Sequence, residues 1–351
     1  MIKQLIWICT SVLFLSACGD NIKHYQTTEQ AKQALQKLNH FLRPSADSSS
    51  VITKSQWPFT DAYLQKRHEI YQAMQTLELV SDDQNLLNYL IIAERFPERY
   101  FNWPVYIPVL KNMLERNKQQ DISADIEHWI RFTQQQLISA NDSKLRLNSI
   151  ELKALQMQVV TNLDTDNLPA SIKSALTEFN DYLSSYIPRG SVGLQGLPNG
   201  SDWYQSKLNY FSGVAKPPIN WLVEVQAQLK QTEQQKYSFN HAMNHQYSLL
   251  EQRFASSKEQ VAGFDWAQNY LNLRSYALQK GTDLTVAERT FWLAMMETDL
   301  GIHYHAWTIQ QAQVNLQKRL KMTPDQVGYL VADIIYYPAQ SFSFSSVLIT
   351  P

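Results

Sequence analysis

Thr285, Thr308 and Thr323 are each followed three positions later by a glutamate or glutamine, namely Glu288, Gln311 and Gln326. At that spacing the threonine hydroxyl can accept from the third amide of a nascent helix while the longer side chain reaches back to the threonine amide. Each pair therefore marks a helix start, and Pro324 sits where a missing N–H costs nothing. Thr27 with Gln30 opens another helix in the same way. Only 10 glycines occur in 351 residues, and Gln, Leu and Ala are abundant, which favours helix throughout. No alternating stretch lasts long enough to build a sheet, although Ser343 to Ile349 reads as a short extended tail. The expected fold is all-α, a large multi-helix domain around a cleft with few or no strands.

Periodicity supplies more elements. The first helix should run through Leu35, Leu38 and Leu42 and stop at Arg43-Pro44, before the polar loop 44–50. Tyr63, Ile70, Met74 and Leu77 mark a second helix. Ile122, Ile126, Trp129, Ile130 and Leu137 recur at spacings of three, four and seven, so that face should be core. Two stretches look irregular: Phe101 to Pro108, and Pro188 to Gly200, where Gly190, Gly193, Gly196, Pro198 and Gly200 concentrate. No solenoid-type repeat is present. The expected organisation is a signal over 1–17, a tether over 18–25 and a helical domain over 26–351, with halves 26–187 and 188–351.

The amino terminus reads as a bacterial lipoprotein signal. Lys3 supplies the positive region, Ile6 to Leu15 an apolar core too short for a permanent span, and Leu15-Ser16-Ala17-Cys18 the cleavage box. Cleavage before Cys18 leaves an acylated cysteine. Several acyl chains anchor stably, since each buried methylene contributes about 0.8 kcal/mol. Gly19 after the cysteine, where an aspartate favours inner-membrane retention, points to the periplasmic face of the outer membrane. Of the 2 cysteines, Cys9 leaves with the signal and Cys18 takes lipid, so the mature body has neither a disulfide nor a thiol nucleophile. Its stability must come from burial, for which 44 % hydrophobic residues suffice.

A net charge of −1, from 31 basic and 32 acidic residues, with no basic run interleaved with aromatics, excludes a nucleic-acid surface. No Gly-rich phosphate loop and no Gly-x-Ser-x-Gly elbow occurs.

His241 and His245, four apart, would share a helix face as paired zinc ligands do. Ala242 stands where the general base should follow the first histidine, which leaves nothing to deprotonate a bound water. His68-Glu69 begins a similar motif that Gln72 breaks. His303, with Asp299 and Trp307, either lines a pocket or is a hydrogen-bonded histidine terminating a buried helix. Trp103, Trp203, Trp221, Trp266, Trp292 and Trp307 either line a groove for peptide or sugar or serve as ordinary core.

Three segments together resemble a known family. Gly196-Leu197-Pro198-Asn199-Gly200-Ser201-Asp202-Trp203-Tyr204 is similar to the "GLP-x-G-x-x-x-Y" segment of the bacterial family called domain of unknown function 885. Thr298-Asp299-Leu300-Gly301-Ile302-His303, with Trp307-Thr308 and Gln311-Ala312, resembles its "D-x-G-x-H…W-T-x-x-Q-A" block. Tyr337-Pro338-Ala339-Gln340-Ser341-Phe342-Ser343-Phe344 resembles its closing "P-G-Q-A-L-S-Y", and the order along the chain is kept. Members of that family look like all-helical zinc metallopeptidases. The family's His-Glu-x-x-Pro-Gly-His helix has at most a remnant here, at His241-Ala242-Met243-Asn244-His245. Phe264-Asp265-Trp266-Ala267 replaces the "E-G-W-A" element that supplies the acidic ligand, and Phe344 replaces a tyrosine.

The resemblance implies a relative that has lost catalysis and holds a ligand at Asp299, His303, Trp307 and Gln340, with Trp203 and Tyr204 nearby. The ligand would be a peptide, a cell-wall fragment or an envelope protein, and the membrane is met through acylated Cys18. No cofactor is expected, zinc at His241 and His245 being the one candidate. Two alternatives stand beside this: a working zinc hydrolase using His241, His245 and a carboxylate such as Glu297, and a structural envelope lipoprotein with a contiguous exposed apolar patch.

Overall fold

The computed structural model describes residues 25–38, 61–95, 106–233 and 283–349. Thirteen α-helices and no strand occur among them, so the chain is all-α. The elements are α1 (Thr28–Leu38), α2 (Asp61–Gln75), α3 (Ser81–Glu94), α4 (Tyr106–Asn117), α5 (Ser123–Asp142), α6 (Ser149–Leu163) and α7 (Ala170–Ser185). They continue with α8 (Gly200–Ser212), α9 (Pro218–Glu233), α10 (Val286–His303), α11 (Ile309–Leu320), α12 (Pro324–Tyr336) and α13 (Ser345–Leu348). Short 3-10 turns cover Leu194–Gly196 and Gln340–Phe344. No described helix is long and apolar enough to cross a membrane. Cys18, the helix stop at Arg43-Pro44, the paired histidines 241 and 245, and Phe264 to Ala267 lie outside the described residues.

The threonine caps form as their spacing requires. Thr285, Thr308 and Thr323 each accept from the amide three residues on, and Glu288, Gln311 and Gln326 each return a bond to the cap amide. Asn148 with Glu151 makes a fourth such box at α6. Two expectations are corrected. Ser343 to Ile349 is not extended: it closes a 3-10 turn and then the short α13, with Phe344 and Leu348 fully buried. Pro108 falls in the first turn of α4 rather than in an irregular stretch, because proline lacks only an amide that the first turn leaves unused anyway.

Apolar side chains gather in two clusters. One is built by α4 to α7 around Trp129, Phe179 and Leu183, and it includes the foreseen α5 face of Ile126, Trp129, Ile130 and Leu137. The other is built by α8 to α13 and, from the far end of the chain, α1 to α3: Ala31, Tyr71, Met74 and Tyr89 pack with Trp221, Trp292 and Phe342. Chain order and core membership thus part company at the amino-terminal helices. Helix α10 is the axis of the second cluster, buried all round from Thr290 to His303 and flanked by α9, α11 and α12.

The glycine-rich segment before α8 is held by Arg189. Its guanidinium donates to the carbonyls of Ser191, of Gly193 at 2.9 Å and of Val192 at 3.1 Å, and its Nε donates to the Arg146 carbonyl at 2.9 Å. A Cβ on Gly193 would lie 1.9 Å from the Ile302 carbonyl oxygen, so only glycine permits this approach of the segment to α10.

Candidate functional site

Asp299 and His303 lie one turn apart on α10, and both are 1 % exposed. The Tyr204 hydroxyl, from α8, donates to Oδ1 of Asp299 at 2.6 Å, and the Ala339 amide donates to Oδ2 at 2.8 Å. The three segments singled out in the sequence therefore meet at one carboxylate. Burial pushes this carboxyl up to about 8, against the pull of the Tyr204 and Ala339 bonds and the Lys207 charge; Asp333 adds to the rise. Ala339 adopts φ 66°, the left-handed region, at the place where the family pattern has glycine.

His303 is spent in the same way. The Leu194 amide donates to its Nδ1 at 3.1 Å, and Nε2 lies 3.1 Å from the Ile334 carbonyl. A carbonyl only accepts, so the proton sits on Nε2 and the ring is neutral. Burial drives its pKa down to about 3, helped by the Arg189 and Lys207 charges. The Tyr204 ring leans against it with centroids 5.3 Å apart. Of the two readings of His303, the structure shows the hydrogen-bonded histidine that ends a buried helix.

The remaining residues of the expected pocket are mostly interior as well. Trp203 and Gln340 are buried, and Trp203 lies with Tyr89 around the Lys207 ammonium, whose Nζ is 5.0 Å from each ring centroid and 3.1 Å from the Tyr89 hydroxyl. Phe344 stacks on Trp292 at 3.9 Å, inside the core, so a hydroxyl there would face packed side chains. Asp299, His303 and Tyr204 are thus joined in a buried contact between elements, and Trp203 and Gln340 are buried as well.

Glu297 is committed too. Arg319 donates to both of its oxygens at 2.9 Å, Asn315 adds a bond at 3.1 Å and Gln226 one at 3.3 Å. Four donors from α9 and α11 saturate this carboxylate, which corrects the expectation that it could serve as a metal ligand. Arg319 also pairs with Glu233 at the end of α9.

Trp307, among the described residues of the expected site, borders a concave surface. Its ring covers Gly301, where a Cβ would lie 2.1 Å from Cε3, and its amide donates to the Gly301 carbonyl at 2.8 Å. Trp307 then lines an open groove of about 490 Å³ with Gln310, Gln311, Val314, Asn315 and Lys318 of α11. Exposed apolar side chains elsewhere among the described residues include Met157 and Val160 on α6, Ile219 and Val223 on α9, and Val80, Ile187 and Val214 in connections.

No protein-family model, no curated protein and no solved structure matches this chain.

Proposed function

We propose that the chain is an envelope-tethered, non-catalytic relative of the helical domain of unknown function 885 proteins, which binds a peptide, a cell-wall fragment or a protein partner. One observation carries the kinship: Tyr204, Asp299 and Ala339, from three resembling segments far apart in sequence, interlock at one buried carboxylate. The left-handed backbone of Ala339, at the glycine of the family pattern, supports the same register. Shared scaffold bonds of this kind argue for shared architecture and not for shared chemistry.

Loss of catalysis follows from the residue types. Ala242 cannot act as a base beside His241, and Glu297, the carboxylate that could have replaced the missing ligand, is held by Arg319. Lipid attachment at Cys18 would keep the body at the periplasmic face of the envelope, with the outer membrane favoured by Gly19.

Two measurements test the reading. Full-length protein purified in detergent should contain no stoichiometric zinc and should leave peptide libraries uncut; equimolar zinc together with chelator-sensitive cleavage would overturn the non-catalytic assignment. Palmitate labelling should depend on Cys18, and a Cys18→Ser chain that still takes label and stays in the membrane fraction would remove the anchor.

A further inference from the structure

Each of the two apolar clusters is a body with its own interior: α4 to α7 enclose one, and α8 to α13 with α1 to α3 enclose the other. Helices pack broadly within each body, and among the described residues no helix of α4 to α7 shares a broad packing face with a helix of the other. The contacts that cross the boundary there are small. Ile150 of α6 rests on the second cluster, Leu64 of α2 rests on the first, and the Tyr336 hydroxyl of α12 donates to the Ile150 carbonyl at 3.4 Å. Bodies that meet over so little apolar area turn against each other unless something holds them.

One passage of the chain between the bodies is described, residues 186–193, and Arg189 stands in the middle of it. Up to this residue the chain is bound to the first body: the Arg189 amide donates to the Leu147 carbonyl at 2.9 Å, and its Nε donates to the Arg146 carbonyl at 2.9 Å. From Val192 onward it is bound to the second. Val192 is buried in that cluster, and Gly193 is wedged against the Ile302 carbonyl of α10. Gly190 and Ser191 lie between. Gly190 is exposed, and a Cβ there would meet no atom within 4 Å, so no packed side chain resists rotation at this point.

The outer nitrogens of the Arg189 guanidinium fold forward over this gap. They donate to the carbonyls of Ser191, of Gly193 at 2.9 Å and of Val192 at 3.1 Å, so one planar fork grips both bodies at once. Glu151 of α6 sets a carboxylate oxygen 3.8 Å from Nη2, and Asn148, the cap of α6, donates from Nδ2 to the Val192 carbonyl at 3.4 Å. The Arg189 side chain is 9 % exposed, so little water competes for these bonds.

We infer that Gly190 and Ser191 form a hinge between the two bodies and that Arg189 is the clasp that locks it, whatever the chain binds. While the guanidinium bridges Arg146 to Gly193, the α4–α7 body keeps one orientation. Once those bonds part, it turns about two residues and both interiors stay intact.

Electron–electron distances between paired spin labels test this on the full-length chain in detergent, with Cys9→Ser and Cys18→Ser so that only introduced cysteines react. One pair spans the bodies, at Met157 of α6 and Val223 of α9; two control pairs lie within them, Met157 with Lys173 of α7, and Val223 with Val314 of α11, all at exposed positions. Arg189→Met should widen the spanning distribution about twofold and leave both controls unchanged. Arg189→Lys keeps a charge beside Glu151 without the fork that reaches both sides, and it should widen the distribution as well. With Arg189 intact, urea below the unfolding midpoint should widen the spanning pair before either control, a reading that needs no Arg189 variant to fold. A spanning distribution that stays narrow in Arg189→Met while the controls hold, or one that widens in urea only together with a control, would overturn the clasp and its hinge.

Discussion

The Tyr204 hydroxyl donates to Asp299 at 2.6 Å, and this one bond ties α8 to the central helix α10 through a carboxylate that water does not reach. Tyr204→Phe removes the donor and leaves an under-satisfied oxygen in the interior. Its urea-unfolding free energy should fall by about 2 kcal/mol, with the denaturant slope unchanged. Asp299→Asn keeps the shape and should cost less than Asp299→Ala.

Asp299 and His303 give opposing pH dependences. Unfolded, they titrate near about 3.9 and about 6.5; folded, burial places Asp299 at about 8 and His303 at about 3. Between the two aspartate values the folded chain holds a proton that the unfolded chain has released, so stability falls as pH rises. Between the two histidine values the unfolded chain holds the extra proton, so stability rises with pH. The two slopes cancel between about pH 4 and 6.5, and the aspartate slope stands alone from there to about 8, at no more than about 1.4 kcal/mol per pH unit. Lys207, Arg189 and Asp333 bear on the pair and set its exact position. Urea midpoints measured from pH 4 to 9 should show a decline confined to the upper window; Asp299→Asn should remove it, and His303→Gln should extend it down to pH 4.

Arg319 and Glu297 form a pair in which the carboxylate side chain is 3 % and the guanidinium 17 % exposed. Removing either partner strands a buried or half-buried charge. Arg319→Met should destabilise by about 3 kcal/mol, and Glu297→Leu with Arg319→Met together should cost less than the sum of the single changes. Additive losses in that double-mutant cycle would show that the two side chains do not act as a unit.

Ala339 holds a left-handed backbone that costs an alanine about 1–2 kcal/mol. Ala339→Gly relieves this cost but gives the unfolded chain more freedom, so the net gain should be below about 1 kcal/mol. A thermal midpoint a few degrees higher is the expected reading, and a lower one would mean that the Ala339 methyl, fully buried, contributes more by packing than its backbone loses.

The parts of the fold that depend on neighbours in sequence could be read in advance, and those that depend on partners in space could not. The caps at Thr285, Thr308 and Thr323 needed only a hydroxyl and an amide three residues away. The stretch Ser343 to Ile349 offered no helical period because five of its seven residues are buried, by elements that only the folded chain brings there. Resemblance brought Tyr204, Asp299 and His303 together, yet whether they lined a cleft or filled an interior was decided by Leu194, Ile334 and Ala339, whose contributions are backbone atoms. The Glu297 network did leave a trace. A glutamate inside the apolar run from Phe291 to Leu300 needs a cation, and Asn315 and Arg319 lie four apart on the next amphipathic helix.

The attachment of α1 to α3 to the second cluster has an effect on how the molecule can be made. Tyr89 of α3 stacks on Tyr210 and lies against Lys207, both more than a hundred residues later in the chain. During synthesis from the amino end, the face of α3 that carries Tyr89 therefore stays without cover while α4 to α7 can already close on themselves, and the larger core cannot seal until the last turns have emerged.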